Sequence, residues 1–242
     1  MKNSPLTGFN HLVQGMRMLM LPGLRKYLVV PLTINIVVFI IIGWIGYSQF
    51  DGLLNSLLPE SSWLSFLRWI LWPLFALSLL LLTFYTFTTV ANLIAAPFNS
   101  ILSARAEEMM TGKKPPENRL KLRQIIVPTL LSELRKLVYF LIRALPLLLL
   151  FIIPGINLAA PFLWLLFSAW FLSIEYTDYP MGNHGLTFQS QHKQLKQMRM
   201  TALGFGGGVT LLMMIPLLNF IAMPAAVIGA TRLWCEHSEQ AL

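Results

Sequence analysis

Two basic side chains, Arg25 and Lys26, stand together in "LPGLRKYLVVPLTIN" (21–35), just after Pro22 and Gly23 and just before a long uncharged run. Proline suits the first turn of a helix and glycine leaves backbone exposed, so a helix starting there presents free N–H groups beside two cations. That combination is suited to capturing a tetrahedral oxyanion. The same pair also reads as ordinary charged flanking of an apolar segment, with no ligand. A second group is "ARAEEMMTGKK" (104–114). Arg105 and Glu108 lie at i,i+3 spacing and can pair on a solvated helix face. In a membrane protein they can instead line a polar route together with Glu107. A third group is "EYTDYPMGNHGLTF" (175–188), which holds Glu175, Asp178 and His184, with His192 beyond. Its spacing matches no standard metal-ligand pattern. It reads as an ordered turn, with Tyr176 and Tyr179 at an interface.

None of these groups carries an enzyme signature. There is no Walker A loop, no His-Glu-x-x-His, no Gly-x-Ser-x-Gly and no paired cysteines. The reading is of a protein that is not an enzyme and needs no cofactor or metal. The glycine-rich "LGFGGGVT" (203–210) has no following lysine and no preceding strand, so it reads as close helix packing. Cys235 is the one cysteine, which excludes an internal disulfide.

The elements that must position these residues are apolar. Of 242 residues, 56% are hydrophobic and only 12% charged, and the mean hydropathy is +0.65. About a quarter of an ordinary soluble chain is charged, so this one reads as a membrane protein. The net charge of +8 is then explained by cations flanking membrane segments rather than by nucleic acid. Four apolar segments, about 28–50, 69–97, 144–174 and 200–231, make one polytopic domain over 1–242. Each is long enough to cross a bilayer, which takes roughly 20 residues. Residues 1–20 lack a compact apolar core and a cleavage site, so they do not read as a cleavable signal. Instead Phe9, Leu12, Val13, Met16 and Met20 recur at helical spacing, with His11, Gln14 and Arg17 largely between them. That predicts an amphipathic helix lying in the interface.

The second segment stays uncharged for 36 residues, from Trp69 to Ala104, and Asn92 and Pro97 interrupt it. The span is expected to finish near there. Residues 51–68 read as a loop and "TGKKPPEN" (111–118) as a turn. A surface helix follows, with Leu122, Ile125, Ile126, Leu130, Leu134, Leu137 and Leu141 set against Arg123, Glu133, Arg135 and Lys136. The last two segments share a pattern, "IPGINLAAP" (153–161) and "IPLLNFIAMP" (215–224), with a partial third copy, "NLIAAP" (92–97). A proline followed by asparagine in mid-segment favours a turn. Residues 144–153 make a half-helix of about 15 Å, half of a ~30 Å hydrocarbon core. Re-entrant hairpins are one solution and kinked full spans the other. Charge favours hairpins. The regions 1–26, 105–143 and 175–199 hold four, nine and three cations, and 51–68 holds one. Two spans followed by two hairpins put the three cation-rich regions on one side, with the N-terminus in the cytoplasm.

Two of these motifs, "LPGLRKYLVVPLTIN" and "EYTDYPMGNHGLTF", resemble the paired signatures of the CysZ family of bacterial sulfate transporters, and they stand in the same order. Length and hydropathy match nearly end to end. The resemblance implies sulfate uptake across the inner membrane for cysteine biosynthesis. It also implies an all-α fold of two long transmembrane helices with partly penetrating hairpins, assembled as a homo-oligomer. In the family a Gly-Leu-Arg element is associated with sulfate binding. It maps onto Gly23, Leu24 and Arg25, with Lys26 where a second arginine is often found. Lysine keeps the charge but lacks the planar fork. The reading is therefore a multi-pass inner-membrane sulfate transporter without an ATP site, driven by a gradient such as protons or acting as a channel. Its partners are sulfate and the lipid bilayer. The alternatives are a non-transporting membrane scaffold and, further off, an intramembrane enzyme using 175–192.

Overall fold

The first helix begins at a cap: the Ser4 hydroxyl oxygen accepts the Thr7 N–H at 3.3 Å, and proline opens the helix. The computed structural model describes the backbone of residues 3–57, 67–116 and 122–239. Its elements are α1 (Pro5–Leu19), α2 (Lys26–Leu57), α3 (Arg68–Thr111), α4 (Leu122–Leu150), α5 (Ala160–Asn183), α6 (Phe188–Gln197), α7 (Arg199–Met213) and α8 (Pro216–Glu239). Every described element is a helix, as the apolar pattern predicted. The chain divides into two compact units, Val29–Phe98 and the rest.

Within the unit Val29–Phe98, α2 and α3 run antiparallel. Gly46 faces the Leu79 side chain, Tyr47 lies 5.3 Å from Trp72, and Phe50 stacks on Phe75 at 3.6 Å between ring centroids. Lys26–Phe50 is the one described stretch long and apolar enough to cross a membrane, and Trp69–Leu81 is apolar but shorter. Two expectations are corrected here. Residues 51–57 continue α2 instead of forming a loop, while 58–66 lie outside the described residues. Nor is α3 interrupted at Asn92 and Pro97, for it runs unbroken to Thr111. A proline removes one backbone donor, and a long helix keeps its remaining bonds. The helix stops where Gly112 takes φ +71°. The rest of the expected 111–118 turn, beyond Pro116, lies outside the described residues.

In the other unit, α1 packs on α7 and α8, and α5 packs on α7. The glycine-rich stretch does what its composition suggested. A Cβ on Gly206 would stand 1.7 Å from the Ala169 carbonyl oxygen, and one on Gly8 would stand 1.9 Å from that of Thr201. These helices touch backbone to backbone. The core against them holds Leu12, Leu19, Leu24, Leu102, Phe205, Ile228 and Leu233. α1 is therefore not simply an interfacial helix. Gly8, His11, Leu12, Gly15 and Leu19 are buried, and Phe9 and Met20 face outward. His11 sits on the inner face because small residues on either side bring α1 down onto its neighbours.

The basic region also differs from its sequence reading. The expected surface helix and the half-helix 144–153 are one element, α4, ending at Leu150. Its faces are mixed: Lys136 is buried, while Leu134, Leu137 and Leu141 are exposed together with Glu133 and Arg135. The chain then reverses through 151–159, where Gly155 takes φ +84°. Phe140 meets Phe167 and Phe171, and Phe151 meets Trp164, so α4 and α5 form a hairpin. A second reversal at Met214–Ile215 returns α8 along α7, with Phe205 against Gly229. The three similar sequence copies nonetheless adopt three conformations. Pro154–Asn157 is a turn, Pro216 opens α8, and 92–97 is mid-helix. The reason is Gly155. The second copy has Leu217 there, and no described non-glycine residue has a positive φ.

Candidate functional site

The opening motif forms a tight turn rather than a helix start. Residues 20–25 are non-helical and α2 begins at Lys26. Gly23 takes φ +100° with open space around it. The Leu24 and Arg25 N–H groups both donate to the Leu21 carbonyl, at 3.2 and 3.4 Å, so neither is free as the sequence suggested. Leu24 is fully buried and pins the turn to the core, which leaves Arg25 and Lys26 exposed. Among the described residues neither cation has an ion pair. The Lys26 ammonium lies 5.2 Å from the centre of the Tyr27 ring.

Tyr27 connects this turn to the 104–114 group. It lines a recess of about 530 Å³ together with Ser100, Arg105, Glu108, Lys114 and Asn183. Arg105 and Glu108 are joined in an ion pair at its wall. The Ser100 hydroxyl donates to Asn183 Oδ1 at 2.7 Å, and the Asn183 amide returns a bond to the Ser100 carbonyl at 3.0 Å. The positive groups near the recess are Lys26, Arg105 and Lys114, with Glu108 opposing them. Such a recess can hold an anion that displaces Glu108 from Arg105.

Glu107 does not join them. It turns into a neighbouring cavity of about 940 Å³, with His184 and Lys193 across from it. His184 Nε2 meets Glu107 Oε1 at 2.7 Å, while the buried Oε2 has no partner among the described residues. The sequence thus placed Arg105, Glu107 and Glu108 on one route, and the structure divides them between two adjoining cavities that share Lys114 and Pro116. Successive helix positions point about 100° apart, and α3 here is helical to Thr111.

The 175–188 group is corrected as well. It is a turn only at 184–187, where Gly185 takes φ +72°; before that α5 continues to Asn183 with Pro180 inside it, and Tyr176 is buried rather than interfacial. Burial raises the Tyr176 phenol above its usual value, with Tyr179 and Glu175 adding to the rise. Glu175 and Asp178 belong to a network that sequence reading missed. Lys136 from α4 reaches Asp178 at 2.8 Å, Glu133 at 3.1 Å and Glu175 at 3.3 Å. Gln191 of α6 donates to Asp178 at 2.6 Å. Burial alone would lower the Lys136 ammonium, but Asp178, Glu175 and Glu133 outweigh it and hold the pKa well above its ordinary value. The available signal was the i,i+3 spacing of Glu133 with Lys136 and of Glu175 with Asp178, which stacks each pair on one face. Among the described residues no cluster suited to a metal ion is present.

The turn and the recess place three cations, Lys26, Arg105 and Lys114, about Tyr27 in an all-helical protein. Comparison with known proteins narrows this. The family model described as "Sulfate transporter CysZ/Etoposide-induced protein 2.4" matches residues 11–224, and the chain belongs to that family. A Pseudomonas aeruginosa protein named sulfate transporter CysZ is 44% identical over 241 residues, covering 98% of each chain. Relatives of the same name from Pseudomonas fluorescens and Salmonella typhimurium are 46% and 40% identical, over 95% and 98% of this chain and 93% and 96% of their own.

Proposed function

We propose that this protein moves sulfate across the bacterial inner membrane, as a multi-pass homo-oligomer, to supply cysteine biosynthesis. The observation that carries the reading is the cation pair at the start of α2, without an ion pair among the described residues and held outward by buried Leu24, in a chain similar over 98% of its length to a protein named sulfate transporter. The membrane part of the reading draws on exposure. α2 is apolar over Lys26–Phe50 with none of that window buried. α4 exposes Leu134, Leu137 and Leu141 beside Glu133 and Arg135, the mixed face of a helix lying at a membrane surface. The apolar arm 144–150 is about 10 Å long at ~1.5 Å per residue, too short to cross a ~30 Å core, so a hairpin that enters and leaves on one side suits it.

In this mechanism Arg25 and Lys26, beside the backbone of Gly23 and Leu24, receive the dianion at the cytoplasmic end of the first span. Desolvating a dianion is costly, and an interfacial turn avoids the full cost. The Tyr27 recess takes the anion next, where Arg105 and Lys114 compete with Glu108 for it. Glu107 faces the adjoining cavity and is a weaker part of the route. The chain carries no nucleotide-binding signature, so an ion gradient, a channel-like path or downstream consumption of sulfate drives the flux.

Radiolabelled sulfate uptake into proteoliposomes tests this, with wild type beside Arg25→Ala and phosphate as competitor. Arg25→Ala should lower the apparent affinity about 10- to 100-fold, the worth of one charge-assisted hydrogen bond. Phosphate should not block uptake. Equal uptake by both proteins would return Arg25 to a topology signal. No uptake by folded, inserted wild type would favour a scaffold.

A further inference from the structure

We propose that the cleft between α4, α5, α6 and α7 is a binding site for an anionic phospholipid. The cleft has a volume of about 600 Å³, and three cations line it: Arg143, Lys196 and Arg199. They come from three different helices, and no acidic residue lines the cleft among the described residues. None of the three is in an ion pair there either. Some cations elsewhere in this unit are matched, as Arg105 is by Glu108, Lys136 by three carboxylates and Arg232 by Glu236, but these three gather on one cleft with no carboxylate in its described lining. Three unmatched cations converging on one cleft are a standing demand for negative charge.

Arg143 is also held in place. Its guanidinium lies 3.6 Å from the centre of the Tyr139 ring and donates to the Tyr139 carbonyl at 3.3 Å. The Trp170 indole N–H in turn donates to the Tyr139 hydroxyl at 2.7 Å. His192 packs on both rings, and its imidazole is lowered first by burial, then by the positive charge of Lys196 and Arg143.

The rest of the lining is apolar and ordered along the helices. Leu147 is one turn beyond Arg143, toward the 151–159 reversal. Leu203 is one turn beyond Arg199, toward the 214–215 reversal. Leu163 and Leu166 lie nearer their reversal than Trp170 and are 41% and 56% exposed. Cations therefore sit at one end of the cleft and leucines at the other. A free oxyanion uses only the first end. A phospholipid uses both, with its phosphate on the cations and its acyl chains along the leucines, as basic pockets between membrane helices do. The occupant rests on the reading of α4–α5 as a membrane-inserted hairpin. It is distinct from the sulfate route, because no residue of this cleft lines the Tyr27 recess.

The full-length protein is placed in nanodiscs of equal phosphatidylglycerol and phosphatidylcholine, extracted, and its retained lipid counted by native mass spectrometry. Wild type should keep phosphatidylglycerol over phosphatidylcholine at least about tenfold, since each cation near a headgroup is worth roughly 1 kcal/mol. Arg143→Gln/Lys196→Gln/Arg199→Gln should lose that preference. Arg17→Gln/Lys113→Gln/Lys193→Gln, which removes three exposed cations elsewhere, should keep it. The proposal is overturned if the cleft variant retains lipid as wild type does, or if the control loses it equally. It is also overturned if millimolar inorganic phosphate displaces the lipid, which would mark a free-oxyanion site. Should the cleft variant fail to fold, the lipid preference and phosphate arms on wild type still decide. Resistance to carbonate extraction is read in parallel. Loss of membrane integration would sink the hairpin reading, and integration without lipid preference would sink this inference alone.

Discussion

His11 and Lys136 show how single buried polar residues set conditions for this molecule. His11 is 2% exposed between α1 and α8, and its Nε2 is 3.8 Å from Glu236. Burial lowers its pKa from 6.5. Glu236 opposes that shift and Arg232 assists it, and burial wins. The unfolded chain then binds a proton that the folded chain refuses. Stability must fall as pH drops below 6.5 toward the depressed folded value. The melting temperature should decline between about pH 7.5 and about pH 5.5, and His11→Gln should flatten that slope. An unchanged slope would mean that α1 is docked less tightly than the burial states. For Lys136 the sign is reversed. Replacing it with methionine leaves Glu133, Glu175 and Asp178 facing each other. Because those partners are partly exposed, the cost is about 3 kcal/mol, the low end for a broken buried pair. Denaturant titration should show that cost at neutral pH and show it shrink toward about pH 4, as the carboxylates take up protons. A penalty that does not change with pH would point to lost packing instead of charge.

At the scale of the helix, glycine decides more than proline does. A Cβ on Gly206 would stand 1.7 Å from the Ala169 carbonyl oxygen, which is backbone and cannot swing aside. Gly206→Ala must separate α5 from α7 and should cost roughly 3 kcal/mol or more, the upper range for overpacking. Thermal denaturation followed by circular dichroism reads this, and Gly207→Ala, whose Cβ would meet the Ala169 methyl at 3.9 Å, serves as the tolerant neighbour. The glycine run was legible as a packing surface because small residues in a helix have few other uses. The reversal at 151–159 was legible too, since proline, glycine and asparagine converge there. The likeness of 215–224 marked only the edge of the second reversal, at 214–215, because a shared Pro-x-x-Asn does not supply the positive φ that Gly155 supplies. The amphipathic patterns of α1 and α4 misled for a different cause. Periodicity marks which residues share a face, but not whether that face meets water, lipid or another helix. Lys136 looked solvent-facing because its three carboxylates come from two helices, and Glu175 and Asp178 stand some 40 residues on.

For the whole molecule, composition gave the helical class, and the first uncharged gap coincides with the apolar stretch Lys26–Phe50. The cations at 25 and 26 were legible as a candidate anion site from residue type alone, but the turn at 20–25 that holds them was not. Its coupling through Tyr27 to Arg105 and Lys114 was not, since that depends on α3 returning beside it. The tie between Asn3 and the start of α7 was equally hidden. The Asn3 side-chain oxygen accepts the N–H groups of Met200 and Thr201 at 3.0 and 3.1 Å, so it supplies the cap at the start of α7 that α7 itself lacks. Gly8 and Gly15 seat α1 against carbonyls of Thr201 and Ala225. α1 therefore has no berth until α7 and α8 have been synthesised. Contacts that far apart in sequence close late and slowly. During translation α1 must wait with its small-residue face uncovered until α8 is made, and Asn3 then closes over the start of α7.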